Sequence, residues 1–228
     1  MILKHLELPP PPERLREDKG LRGFTLAEVL ITLGIIGVVA SLTMPALIEN
    51  TKKQEAGARI KKFVSVINQA IVSAENDYGM REDWVIGEED NFDDAFQFLN
   101  TYVKPYIKSS EIEKRKLFGY NMATLRFFDG SQMSVRIGGC YDIYYDINGE
   151  KAPNERGRDI FMYVLCKNPK SCNLPNNQVR AYFCNTSSPP SYPTHKEIIN
   201  SCKNSGVHCT LLLQENQWEF PKDYPRRL

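Results

Sequence analysis

From Phe24 to Ile48 the sequence runs for 25 residues with one charge, Glu28. Coiled as an α-helix, such a run is about 37 Å long and crosses the roughly 30 Å hydrocarbon core of a bilayer with some tilt. A secretory signal peptide has a shorter apolar core, about 7–15 residues, with a small-residue cut site behind it. Here a basic residue and a glycine, Arg22 and Gly23, stand in front of the run instead. The plain reading is a single-pass anchor. Glu28 weighs against it, because an acid at membrane depth is costly unless it is paired. Cleavage after Gly23 would create a positive amine on Phe24, four residues ahead of the acid. A neighbouring copy of the segment could offer its own amine to this carboxylate.

Gly23, Phe24, Thr25, Leu26 and Glu28 in front of an apolar helix, with Pro45 near its far end, resemble the type IV pilin-like family. That family includes the pseudopilins of type II secretion systems. The resemblance implies four segments: a prepilin leader at residues 1–23, a transmembrane and filament-core half of a helix at 24–48, an amphipathic half at 49–79, and a globular head at 80–228. It implies a single pass of the cytoplasmic (inner) membrane with the head on the extracytoplasmic side. The partners it implies are a prepilin peptidase that also methylates the new terminus, other pilin or pseudopilin subunits, a platform protein and an assembly ATPase. Pro9 to Pro12 keep the leader from being a continuous helix. Basic residues do not orient the span, since Lys52, Lys53, Arg59, Lys61 and Lys62 follow it as densely as others precede it. The inward leader rests on the resemblance.

The expected fold is α+β: the long N-terminal helix packed on a small antiparallel sheet, with a disulfide-stabilised C-terminal region. Ala56, Ile60, Phe63, Val64, Ile67, Ala70, Ile71 and Ala74 recur every three or four residues and mark one helix face, with Gly79 as the stop. Pro45 and Gly57 are the expected points of bending or local melting. Phe92, Ala95, Phe96, Leu99 and Val103 predict a short helix ended by Pro105. Strands are predicted at 122–128 and 132–137, joined at Asp129-Gly130, and at 141–147 and 160–166, a sheet of three or four strands. Residues 167–193 read as irregular, because Pro189, Pro190 and Pro193 forbid regular structure there. A short helix follows from His195 to Asn204, capped by Thr194 and Glu197 and ended by Gly206. The tail, Trp218-Glu219-Phe220-Pro221 and Asp223-Tyr224-Pro225, resembles a C-terminal pattern in a subset of bacterial pilin-like proteins.

All six cysteines lie in the last 90 residues or so, beyond the span, which favours disulfides and an oxidising compartment. No C-x-x-C pair is present, so zinc is a poor second choice. Cys202 and Cys209 flank the turn at Asn204-Ser205-Gly206 and are the first expected pair. Cys172 and Cys184 bracket the irregular region, which leaves Cys140 with Cys166.

Asp142, Asp146, Asn148 and Asp159 are oxygen-bearing side chains near the turns at Asn148-Gly149 and Gly157. Several pseudopilins hold calcium in a carboxylate-lined loop, so calcium is the candidate cofactor, against a turn in which Asp and Asn bond their own backbone. The catalytic site is read as none: no G-x-S-x-G, Walker loop or dinucleotide fingerprint is present, and His208 beside Cys209 is no nucleophile pair. Removing the leader's five basic and four acidic residues from the chain's 29 and 28 leaves a mature chain of 24 and 24. That balance gives no electrostatic reason for nucleic acid as a partner. The expected function is a structural pilin or pseudopilin subunit. The alternative is a minor pilin acting as a tip binding, adhesion or DNA-uptake module.

Overall fold

One helix, α1, runs from Leu26 to Tyr78 without a break. The computed structural model describes residues 23–85, 87–168, 172, 178–184 and 191–228. The leader at 1–22, and Pro189 and Pro190, lie outside the described residues. The chain divides into two compact units, Met1–Pro45 and Ala46–Leu228.

In the first unit, α1 carries Leu30, Ile31, Leu33, Ile35, Ile36 and Val38, all exposed. Its hydroxyls do not break the apolar surface. Thr32 donates to the Val29 carbonyl and Ser41 to the Val38 carbonyl, so each is satisfied within the helix. Among the described residues α1 is the one helix long and apolar enough to cross a membrane.

In the second unit the predicted stripe of α1 is buried: Ala56, Ile60, Phe63, Ile67, Ala70, Ile71 and Ala74, with Val64 half-buried at its margin. Each large side chain of the stripe contributes about 1.5–3 kcal/mol by leaving water. Phe63 stacks on Tyr145 with centroids 4.0 Å apart and planes at 7°. The helix runs through Pro45 and Gly57 without local melting. Gly57 answers to a packing constraint instead: a Cβ there would stand 3.0 Å from the carbonyl oxygen of Trp218.

Helix α2, Phe92–Phe98, is capped by Asn91, whose side chain accepts from the Asp93 and Asp94 amides. The predicted helix to Pro105 is in fact three pieces. After α2 comes a wide π turn at Leu99–Val103, then a tight turn at Lys104–Tyr106 that takes Pro105 inside it.

The sheet has six antiparallel strands in sequential order: β1 Ser109–Leu117, β2 Tyr120–Phe127, β3 Gln132–Ile137, β4 Tyr141–Asp146, β5 Ile160–Leu165 and β6 Arg180–Ala181. The expected count of three or four missed the two edges. Leu125, Val135, Ile143, Tyr145, Tyr163 and Leu165 share one core with α1. Met122, Tyr144, Ile160 and Met162 form a smaller cluster of their own, so β4 and β5 are buried along their whole length.

Helix α3, His195–Ser205, has the predicted reciprocal cap between Thr194 and Glu197, and ends at Gly206, whose φ of 73° suits a residue without Cβ. A second short helix, α4, follows at Cys209–Glu215.

Candidate assembly and processing site

Thr25 precedes α1, and Glu28 sits three residues on. The Glu28 carboxylate accepts from the Thr25 amide at 2.9 Å and the Thr25 hydroxyl at 2.8 Å. The Glu28 amide donates back to Thr25 Oγ1 at 3.2 Å. This is a capping box, which satisfies donors that a helix N-terminus leaves unpaired. Both bonds to the carboxylate fall on Oε2. Among the described residues no hydrogen bond is made to Oε1, so one oxygen remains to receive a further cation. Phe24 is 88% exposed beside it. The T-x-x-E spacing was visible in the sequence, but the role of Thr25 was not read from it.

The four oxygen-bearing residues separate into two places. Asp142 bonds Arg136 at 3.2 Å, and burial pushes its carboxyl up to about 6 against the pull of that guanidinium. Asp146, four residues along β4, is about 13 Å away at strand spacing. Its carboxyl accepts from the Asn148 amide and Gln132 Nε2, and burial likewise pushes it up to about 6. Asp159 accepts from the Asn154 and Glu155 amides and from Asn148 Nδ2. These are bonds of turns folded on their own side chains. Asn148 Oδ1 is buried and unsatisfied, but one spare oxygen among engaged carboxylates does not fit the shell of about six to eight oxygens that calcium takes.

The structure pairs Cys140 with Cys166, Cys172 with Cys184 and Cys202 with Cys209. The first joins the start of β4 to the end of β5, and the last ties α3 to α4.

A family profile described as "Family of unknown function (DUF6613)" matches residues 46–228. The chain belongs to that family. A second profile, the "Prokaryotic N-terminal methylation motif", matches residues 19–44 of this DUF6613 chain. The two matches meet where the two compact units meet. "Type II secretion system core protein G" of Escherichia coli (strain K12) is 37% identical over 54 residues, 24% of this chain and 37% of that protein. The chain thus spans a little over a third of that relative's length. No solved structure matches. The chain is type IV pilin-like in its N-terminal segment, and the DUF6613 match covers its head.

The DUF6613 head is closed by its C-terminal tail, a feature the sequence left unassigned. The Trp218 carbonyl lies over Gly57, and Glu219 pairs with Lys61 at 3.0 Å. Tyr224 donates its hydroxyl to the Gly157 carbonyl at 2.7 Å, and Arg226 Nε donates to the Cys202 carbonyl at 2.7 Å. His195 stands between Asp223, at 3.0 Å from Nε2, and Glu215, at 3.5 Å from Nδ1. The bond to Asp223, aided by Glu215, holds the imidazole above its usual 6.5.

A raised histidine adds stability that is fully present below its unfolded pKa and is lost as pH rises through the folded one. The tail contact of His195 should therefore weaken as pH rises past 6.5. NMR titration of the His195 ring is expected to give a midpoint above 6.5, restored to the ordinary range by Asp223→Asn with Glu215→Gln. A wild-type midpoint at or below 6.5 contradicts the charge pairing.

Proposed function

We propose that the chain is a structural subunit, pilin or pseudopilin, of a type IV pilus-like or type II secretion filament. The observation that carries this reading is the methylation-motif match over an exposed apolar helix headed by Glu28. A prepilin peptidase cuts between Gly23 and Phe24 and methylates the new amine. Residues 24–48 hold the subunit in the cytoplasmic membrane, with the head outside, until a platform protein and an ATPase drive its addition to the filament.

Assembly is packing. The anchor helices bundle in the filament core, where Glu28 receives the Phe24 amine of an adjacent copy on the oxygen its own cap leaves open. A misplaced subunit strands a buried charge at a cost of several kcal/mol, which enforces register. Contacts between unlike faces that do not close into a ring build an open helix of subunits.

Processing is directly testable. N-terminal sequencing of the membrane-extracted protein is expected to begin at N-methylated Phe24. A mature chain starting at Met1, or downstream of Ile48, would end the proposal.

A further inference from the structure

Two of the three disulfides are neighbours. Cys140 Sγ lies 3.6 Å from Cys172 Sγ, across the gap between the Cys140–Cys166 and Cys172–Cys184 bridges. The sulfurs of Cys140, Cys166 and Cys172 all fall within 4.8 Å of one another. These three residues are buried, at 5%, 4% and 2% relative exposure, in a small cluster with Val164 and Tyr182. Cys184 is exposed. The group therefore meets solvent at the Cys184 residue, with three buried cysteines behind it. Cys202 and Cys209 belong to no such group among the described residues.

We propose that Cys140, Cys166, Cys172 and Cys184 form one thiol–disulfide exchange site, entered at Cys184 by a dithiol and carrying a second stable pairing, Cys140–Cys172. The partner is a dithiol reductant, either small or of the Cys-x-x-Cys oxidoreductase class. Its thiolate attacks the sulfur of Cys184, the exposed residue of the group. A bond forms between reductant and Cys184, the Cys172–Cys184 bond breaks, and Cys172 leaves as a thiolate. The second thiol of the reductant then displaces Cys184, which is released as a thiol while the reductant departs as its own disulfide.

Cys172 is now a nucleophile held against a second disulfide. Its sulfur starts 3.6 Å from that of Cys140. Attack forms Cys140–Cys172, breaks Cys140–Cys166, and leaves the electron pair on Cys166, which takes a proton from water. One disulfide has been reduced by the two electrons of the dithiol, and the surviving bridge has moved. Proximity favours this step over attack by free reductant, because the second thiol is already in place and the Cys140–Cys166 bridge is buried from solvent.

The test uses the full-length oxidised chain in detergent. It is treated with one equivalent of dithiothreitol, trapped with iodoacetamide and mapped by mass spectrometry without further reduction. The expected product is a Cys140–Cys172 peptide with Cys166 and Cys184 alkylated and Cys202–Cys209 intact. Cys172 and Cys184 both alkylated beside an intact Cys140–Cys166 bridge overturns the proposal. The Cys184→Ser variant tests it without any reductant, since Cys172 is then free from synthesis onward. It should map with Cys140–Cys172 alongside Cys140–Cys166, and Cys140–Cys166 alone is the opposing result.

Discussion

Glu28→Leu should lower filament assembly by at least about 100-fold while leaving the melting temperature of the head unchanged. Breaking a buried charge pair by removing one partner costs about 3–5 kcal/mol, because the other charge remains buried. Here the stranded group is the Phe24 amine of the neighbouring subunit. The substitution makes the span more apolar, so insertion should not suffer. It also removes the cap on Thr25, worth only about 1 kcal/mol at a helix start.

Glu28→Gln separates the two roles, since its carbonyl can still accept from the Thr25 amide but carries no charge. Filament yield after shearing, set against subunit in the membrane fraction, reads both variants. Assembly of the glutamine variant at wild-type levels would falsify the charge pairing and leave capping as the role of Glu28.

Gly157→Ala is expected to destabilise the head by about 2–5 kcal/mol. Two terms add. The backbone at Gly157 has φ of 75°, a conformation costing a residue with Cβ roughly 1–2 kcal/mol. The added Cβ would also overlap the Cys209 sulfur and press on its Cβ, and overpacking of this kind costs about 1–3 kcal/mol. For a head of this size the sum corresponds to a fall in melting temperature of about 10 °C. Gly119→Ala is the control, because its φ is 85° but a Cβ there meets nothing within 4 Å. The Gly119 variant should show the backbone term alone, a fall of about 3 °C. Thermal unfolding under non-reducing conditions measures both, and equal shifts at the two positions would rule out the packing term.

The α+β architecture was legible because its central parts obey simple periods. The α1 stripe repeats every three or four residues, and β3, β4 and β5 are rich in apolar and aromatic side chains with a turn at Asp129-Gly130. β1 escaped for a physical reason. Its sequence, Ser-Ser-Glu-Ile-Glu-Lys-Arg-Lys-Leu, buries no residue fully, since it is an edge strand held by its ladder to β2 and blunted by charge. β6 is two residues long and is placed by pairing with Tyr163 and Val164, so no local pattern could mark it.

Local melting was expected at Gly57 because a glycine inside a helix looks like a weak point, whereas the contact that bears on it is a carbonyl distant in the sequence. The separation of Asp142 from Asp146 follows from strand spacing along the predicted strand, whereas the pairing of Asp142 with Arg136 across the β3–β4 ladder was not visible. Glu28 stands out in the sequence as a single charge in an apolar run, and its bonds to Thr25 match the T-x-x-E spacing that the sequence also carries.

The sequential order of the strands sets a timetable for folding. Each strand pairs with the one just before it in the chain, so the loops closed from β1 to β4 are short and their closure entropy is small. Such local pairing is fast compared with contacts between distant parts of a chain. A head emerging N-terminus first can therefore zip β1 through β5 in order. Trp218 reaching Gly57 and Tyr224 reaching Gly157 join residues far apart in the chain, so these contacts follow the sheet. A chain cut behind α4 would hold a paired sheet with Gly57 uncovered, so closure of the tail marks the completion of folding in the head.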